Sequence, residues 1–180
     1  MRADNWYVFF VKTGQEKKAA DEIKDAVKDD KVTHIELLVE TLFRTKGKVN
    51  KETKSMFPGY IFIATEIGND EFISRTTECS HRSKVIIKLL RYGNTSQAAV
   101  AEEEREALEC LAQDNYCVKA SKGFLAGDRI VVTEGPFAGR ESTIKEIRQH
   151  KMQAVIEVEF MGSIRRATVG LEIVERLAGT

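Results

Sequence analysis

The chain of 180 residues has little of what defines several common protein classes. Its two prolines exclude a collagen-like or proline-rich chain, and its three cysteines argue against a disulfide framework. No apolar run approaches the roughly 20 residues that cross a bilayer. The first residues also lack the apolar segment of a secretory signal. We therefore expect a cytoplasmic protein without a membrane anchor.

An excess of charge of either sign is also missing. The 28 Lys and Arg residues balance the 28 Asp and Glu residues, which excludes a strongly basic nucleic-acid coat. The charges do not balance locally in one segment, because residues Arg44 to Lys54 include five cations and one acid. A net charge of zero can therefore hide a surface with one basic face.

Sequence motifs of common enzymes are absent as well. The chain has no Gly-x-x-x-x-Gly-Lys-Ser/Thr, no Gly-x-Ser-x-Gly and no His-Glu-x-x-His. Cys79 with His81, and Cys110 with Cys117, lack the usual spacings of zinc ligands, and Cys110 is predicted on the buried side of a helix. We expect no catalytic residue, no metal site, no cofactor and no enzymatic activity.

Apolar patterning predicts a mixed first part. The run Trp6–Val11 is typical of a strand covered on both sides. Thr13 and Glu16 have the spacing of a capping box, and apolar residues at helical spacing follow to Val27. Residues 35–43 are strand-like, and residues 44–55 show no apolar period, so they indicate a loop or a mobile hairpin. Further strands are predicted at 56–63 and 85–90, and a helix at 100–112.

The pattern changes after residue 114. Short β-branched segments separated by glycines replace the helical periods, at residues 129–133, 142–147, 154–160, 164–169 and 172–174. Such spacing is typical of a small barrel. We predict one domain over residues 1–114, a linker at 115–122 and a second domain over 123–180.

Two segments carry a family resemblance. The stretch from Gly127 to Gly139, with Gly135-Pro136 opening a tight exposed loop around Phe137, resembles the KOW motif. The strand Met56-Phe57-Pro58-Gly59-Tyr60-Ile61-Phe62-Ile63, downstream of Trp6-Tyr7, resembles the amino-terminal domain of NusG-type transcription factors. Their order covers almost the whole chain. The resemblance implies an α+β fold, with an antiparallel sheet flanked by helices and then a KOW domain that forms an SH3-like β-barrel.

The resemblance also implies a non-enzymatic elongation factor. Its amino-terminal domain would bind RNA polymerase through aromatic side chains, and Phe10, Phe57 and Tyr60 match those positions. Aromatic side chains are favoured at the centres of interfaces. Exposure beside Pro58 and Gly59 is expected for Phe57 and Tyr60, whereas ordinary core packing is the alternative for all three. A second polymerase contact falls on Thr76 and Thr77, for which an ordinary helix end is the alternative.

Two groups of cations are candidates for nucleic-acid binding, because neutralising phosphates releases counterions. The first group would face upstream DNA or emerging RNA and comprises Arg44, Lys46, Lys48, Lys51 and Lys54. The second lies in the KOW part and comprises Arg140, Lys145, Arg148, Lys151, Arg165 and Arg166. A solvated surface is the alternative for both groups.

The sequence thus predicts a monomeric factor that binds RNA polymerase and modulates pausing or termination. Within the family it is most similar to the LoaP group, which implies an operon-specific antiterminator that also contacts a nascent RNA hairpin. One alternative is a housekeeping NusG-like factor whose KOW domain recruits a ribosomal protein or Rho. Another is a structural KOW protein associated with the ribosome or with RNA.

Overall fold

A computed structural model describes residues 4–175, apart from the side chain of Asp114. Its elements up to residue 82 are β1 (Asn5–Val11), α1 (Glu16–Val27), β2 (Thr33–Ile35), β3 (Leu38–Thr45), β4 (Lys48–Ser55), β5 (Tyr60–Thr65) and α2 (Asn69–Arg82). The later ones are β6 (Ile86–Leu89), α3 (Glu102–Ala112), β7 (Cys117–Val118), β8 (Ser121–Ala126), β9 (Arg129–Glu134), β10 (Ile144–Arg148), β11 (Gln153–Phe160) and β12 (Ser163–Ile173). No helix within the described residues is long and apolar enough to cross a membrane.

The described residues divide into two compact units. The first unit comprises residues 4–36, 57–107 and 159–163, and the second comprises 37–56, 108–158 and 164–175. The range 115–122, predicted as a linker, contains β7 and the first residues of β8. The predicted domain limits at 114 and 123 stay a prediction.

The first unit is built around an antiparallel sheet with the strand order β2-β5-β1-β6. Residues of β1 face those of β5 from Asn5 opposite Thr65 to Phe10 opposite Tyr60. The apolar side of α1 and Phe72 of α2 cover the sheet, and the Tyr7 ring stacks on Phe72 with centroids 3.8 Å apart. The predicted strand Trp6–Val11 and the predicted first helix are therefore confirmed.

The start of α1 differs from the predicted capping box. Gln15 occupies the N-cap position, and no side chain there bonds to the free backbone N–H groups of the first turn. The Glu16 carboxylate instead accepts a hydrogen bond from the backbone N–H of Gly59, at 3.0 Å. The predicted capping box was wrong because the Glu16 carboxylate bonds to Gly59, before β5, and not to the backbone at the start of α1.

The second unit holds two sheets, with strand orders β4-β3-β7 and β10-β11-β12-β8-β9. The five-stranded sheet is the one expected of the KOW part, and the α+β fold class is confirmed. Two details of the expectation were wrong. Residues 163–173 form one strand and not two, and Phe137 is buried, because its loop turns back at Gly135, which lies against Ser121 and Ala120.

Residues 44–55 form a hairpin and not a loop. Strands β3 and β4 pair from Leu38 opposite Ser55 to Thr45 opposite Lys48, and the turn places Lys46 and Gly47 at φ of 50° and 79°. Two successive positive φ values belong to the turns that match the twist of a hairpin. Of the two alternatives, the hairpin is therefore the one that forms, and apolar alternation does not mark β4 because none of its residues is buried.

The backbones of β3 and β12 approach each other closely at Gly170. A Cβ atom at this position would lie 2.7 Å from the carbonyl oxygen of Glu40 and 3.1 Å from Cγ of Leu42. A side chain of any size would therefore push β3 away from β12. Glycine at 170 is a requirement of this packing.

We predict that Gly170→Ala lowers the free energy of unfolding by about 1–3 kcal/mol, the usual effect of overpacking. Urea denaturation of the full chain measures it. Gly68→Ala is the comparison for an added methyl group, because a Cβ there meets no atom within 4 Å and Gly68 has a φ of −71°; as the N-cap of α2 it should lose at most about 1 kcal/mol. Equal stabilities of the two variants would contradict the close approach.

Candidate functional site

The first candidate surface is formed by aromatic rings on β1 and β5. Phe10 and Tyr60 face each other across the two strands, with ring centroids 5.2 Å apart, and both are half-buried. Gly59 precedes Tyr60 with a φ of +84°, and a Cβ there would lie 3.1 Å from the Thr13 hydroxyl and 3.3 Å from the carbonyl oxygen of Val11. The structure thus brings together two of the three predicted aromatic residues on accessible surface.

Phe57 does not share this exposure. Only 5% of the residue is accessible, so the expectation of an exposed Phe57 was wrong. The reason is Phe160, whose ring meets Phe57 edge to face at 5.0 Å between centroids. Phe160 makes similar contacts with Tyr60 at 5.9 Å and with Phe62 at 5.4 Å. Edge-to-face packing of this kind is favourable beyond the apolar area that it buries.

The segment that carries Phe160 is held by the carboxylate of Glu104 on α3. This carboxylate accepts hydrogen bonds from the backbone N–H groups of Met161, at 2.7 Å, and Gly162, at 3.2 Å. It also accepts one from the Tyr92 hydroxyl at 2.6 Å, and that hydroxyl accepts one from the N–H of Ala101 at 2.8 Å. Sequence reasoning missed Glu104 because one acid in a helix rich in Glu gives no signal of its own.

Thr76 and Thr77 lie inside α2 and differ in accessibility. Thr76 is buried, and its hydroxyl donates to the carbonyl oxygen of Phe72 at 2.8 Å. Thr77 is exposed, and its hydroxyl donates to that of Ile73 at 2.6 Å. Both residues border a surface cavity of about 220 Å³ whose cationic lining includes Lys88 and Arg91. Thr77 is therefore the member of this pair that is accessible from solution.

The cations of the β3–β4 hairpin fall into two sets. Lys51 pairs with Glu40 at 3.5 Å and Lys54 with Glu52 at 3.1 Å. The other three side chains make no hydrogen bond or ion pair with any residue between 4 and 175, and they are Arg44, Lys46 and Lys48. These three are exposed and lie next to the hairpin turn. Cations without a protein partner are the ones that can bind phosphate without first giving up an ion pair.

Glu40 anchors the base of this hairpin. Its carboxylate accepts hydrogen bonds from the N–H of Ala120 at 2.9 Å and from Lys119 at 3.2 Å. Burial tends to raise the pKa of Glu40, but these donors and the Lys51 ammonium outweigh it and hold the pKa below its ordinary value. The carboxylate thus stays charged and joins β3 to the segment after β7.

Most predicted cations of the KOW part already bind another residue of the chain. Arg148 pairs with Glu146 at 2.7 Å and Arg166 with Glu157 at 3.4 Å. Lys145 donates to the carbonyl oxygen of Ser142 at 3.3 Å, and Arg140 donates to the sulfur of Cys110 at 3.2 Å. Arg165 is half-buried, and Lys151 is exposed. These six cations therefore do not form one surface patch of cations without partners.

The three cysteines are free thiols. Burial raises the pKa values of Cys79 and Cys117, which keeps these thiols protonated. Cys110 is exposed, so its prediction as a buried residue was wrong, because the helix turns this side chain toward Arg140. Within residues 4–175 no group of three or more His, Cys, Asp or Glu residues could hold a metal ion.

The amino-terminal part of the chain matches a known family. The family model described as "NusG: Transcription termination factor nusG" matches residues 4–109, more than half of the chain. The chain belongs to the NusG family. The family resemblance of its sequence is thereby confirmed, and the chain is a NusG-family transcription termination/antitermination factor.

Relatives of the NusG family align over most of the chain. The transcription termination/antitermination protein NusG of Thermus thermophilus is 28% identical over 87% of this chain and 90% of its own. The protein of the same name from Vibrio cholerae is 27% identical over 96% of this chain and 95% of its own. A solved structure described as "Domain interaction in Thermotoga maritima NusG" is 22% identical, with 94% of each chain covered and a TM-score of 0.48.

The contact between Tyr92 and Glu104 predicts that the stability of the chain depends on pH in the alkaline range. Burial and the hydrogen bond to Glu104 raise the pKa of Tyr92 to about 12, compared with about 10 in an unfolded chain. Its contribution to stability is therefore complete below about pH 10 and is lost as the pH rises to about 12. Urea denaturation across this range should give Tyr92→Phe a shallower loss of stability than the wild-type chain.

The comparison isolates Tyr92 from the other groups that ionise at alkaline pH. Tyr7, whose pKa burial also raises to about 12, and all lysines are present in both proteins. The variant loses two hydrogen bonds, so it is less stable below about pH 10, and the test is the slope of its stability against pH above that value. Parallel slopes would contradict a buried, neutral Tyr92 hydroxyl.

Proposed function

We propose that this chain binds RNA polymerase through an aromatic surface on its first unit and modulates pausing or termination. The observation that carries the proposal is the pair Phe10 and Tyr60, two half-buried rings side by side on a rigid sheet. Such rings offer a large contact area at a small cost in side-chain entropy. Phe57 would join this surface only when Phe160 leaves it, and the exposed Thr77 would make a second contact, with Thr76 positioned beneath it.

The chain would act as an operon-specific antiterminator that also contacts nascent RNA. Support comes from Arg44, Lys46 and Lys48, three exposed cations close together at one hairpin turn. The paired strands β3 and β4 hold them near one turn, and each can neutralise a phosphate. Lys51 and Lys54 contribute less to this contact, because each already has a carboxylate partner.

A second candidate is a factor that recruits a protein, such as Rho or a ribosomal protein, through its KOW part. Two observations favour it. Arg148 and Arg166 are paired with acids, and apolar side chains stand exposed on the same unit. The residues Leu125, Val131 and Ile164 are 40%, 37% and 67% accessible. A mixed surface of this kind is more typical of a protein partner than of RNA.

The polymerase proposal is tested with Phe10→Ala and Tyr60→Ala in the full chain. Each should weaken binding to purified RNA polymerase by about 1–3 kcal/mol, the usual range for an aromatic residue at an interface centre. Biolayer interferometry measures the affinity and a thermal melt checks the fold. Phe43→Ala is the matched control, because Phe43 is an exposed aromatic residue, 44% accessible, outside this surface.

Phe57→Ala serves a different purpose in this experiment. Truncating a buried Phe costs about 3–5 kcal/mol of stability, so a loss of binding by this variant alone would not identify an interface. If the Phe10 and Tyr60 variants bind like the wild-type chain, the polymerase surface is assigned wrongly. Loss of binding by the Phe43 control would point to a general defect.

The RNA proposal is tested by the salt dependence of binding to an RNA hairpin. Lys46→Gln with Lys48→Gln should weaken binding and make the slope of log K against log salt shallower by about 0.7–0.9 for each lost phosphate contact. The control is Lys51→Gln with Lys54→Gln, which removes two ion-paired cations from the same hairpin. Equal slopes for the two double variants would contradict the proposal, and a wild-type chain without affinity for RNA would favour the protein-recruiting alternative.

A further inference from the structure

A lysine continues the row of aromatic side chains on the sheet of the first unit. Tyr60 of β5 lies opposite Phe10 of β1, and Phe10 lies opposite Lys88 of β6, so one row crosses three neighbouring strands. Directly paired residues of antiparallel strands have their side chains on the same face, with Cβ atoms about 4.5–5.5 Å apart. The Lys88 side chain therefore lies on the face that carries the two rings, next to Phe10.

The neighbouring rows of side chains are covered. On the same face, the adjacent row holds Phe62, Val8 and Leu90, and all three are buried. The pair Phe9 and Leu89 points to the opposite face, where both pack in the core formed with α1 and α2. The row that includes the lysine is half-buried at its two rings and exposed at the lysine. It is therefore the accessible border of this face.

The strands around this row carry charges of one sign. Residues 5–13, 56–65 and 84–101, which include β1, β5 and β6, contain no Asp or Glu. They contain four exposed cations that form no ion pair with a carboxylate between residues 4 and 175, namely Lys12, Lys84, Lys88 and Arg91. Glu16 lies at the Tyr60 end of the row, where its carboxylate accepts the N–H of Gly59 at 3.0 Å. The surface at the lysine end is therefore cationic.

We propose that the segment of RNA polymerase that packs on Phe10 and Tyr60 places a carboxylate group against Lys88. The two rings contact an apolar side chain of that segment, and the lysine binds an Asp or Glu beside it. Interfaces combine an apolar centre with complementary charges at the rim, and these charges speed association and fix the orientation of the partner. The inference rests on the proposed polymerase contact and adds to it the chemistry of the partner surface.

A single strand of nucleic acid is the other partner that aromatic rings beside cations can bind, because a base stacks on the open face of a ring. The rings of Phe10 and Tyr60 contact each other, with centroids 5.2 Å apart and an angle of 36° between their planes. The Tyr60 ring also meets Phe160 edge to face, with centroids 5.9 Å apart. Together these rings form one continuous apolar surface and not separate open faces, which favours the side chains of a protein over a base.

The test measures the binding of core RNA polymerase, freed of nucleic acid, to the full chain by biolayer interferometry. Lys88→Glu should weaken this binding about 10- to 50-fold, with slower association, because it brings two carboxylates together. Lys88→Gln removes only the attraction and should weaken binding about 2- to 5-fold. Lys88→Arg keeps the positive charge and should bind like the wild-type chain.

Lys17→Glu is the matched control, because it reverses the same charge elsewhere on the first unit. Lys17 is an exposed residue of α1, and α1 covers the face of the sheet opposite Phe10. This variant should keep the affinity of the wild-type chain for polymerase. The effect of Lys88→Glu should become smaller at high salt, which screens exposed charges. Thermal melts of all variants check that they are folded.

Several results would overturn the inference. They are equal affinities of Lys88→Glu and the wild-type chain for polymerase, an equal loss in Lys17→Glu, and a loss in Lys88→Arg as large as that in Lys88→Gln. If Lys88→Glu instead weakens binding of a labelled single-stranded RNA and leaves polymerase binding intact, the row binds nucleic acid. When Phe10→Ala and Tyr60→Ala weaken polymerase binding but Lys88→Glu does not, the inference alone is wrong. When none of the three does so, the proposed polymerase surface is wrong as well.

Discussion

The close contact of β3 with β12 at Gly170 is the constraint on which the second unit depends. Backbone can meet backbone there only because residue 170 has no side chain. The Glu40 carboxylate completes the attachment through the N–H of Ala120 and the ammonium of Lys119. The position of the β3–β4 hairpin and of the exposed cations at its turn, Arg44, Lys46 and Lys48, follows from this anchored strand. The β3–β4 hairpin, whose second strand has no buried residue, is attached to the rest of the unit in this way.

In the first unit, aromatic packing holds the candidate surface in position. Phe160 fills the space between Phe57, Tyr60 and Phe62, and Glu104 fixes the backbone just beyond it. The aromatic surface is therefore partly covered and partly open, and Phe10 with Tyr60 forms the open part. The carboxylate binds main-chain N–H groups and not a cation, so its bonds do not depend on the identity of the side chain at Met161.

Local patterns predicted the elements whose signal lies within a few neighbouring residues. The run Trp6–Val11, the helical spacing up to Val27 and the KOW glycines each indicated the element that forms. Three of the failures share one physical origin, since the packing of Phe160 against Phe57 joins residues about a hundred positions apart. Likewise, the partner of Glu16 is Gly59 and that of Cys110 is Arg140. No spacing rule connects such residues, because tertiary packing decides which side chain is covered.

The ion pairs of the candidate cations could not be predicted from the sequence either. Sequence composition counts Arg44 and Lys54 as equals, although one has no partner among residues 4–175 and the other faces Glu52. An ion pair must be broken before its cation can serve a phosphate, and exposed pairs are worth only about 0–1 kcal/mol. That difference is small for one residue, but it is repeated at Lys51, Arg148 and Arg166. The candidate nucleic-acid cations that are exposed and have no ion pair among residues 4–175 therefore include the three at the hairpin turn, Arg44, Lys46 and Lys48, in a chain whose total charge is zero.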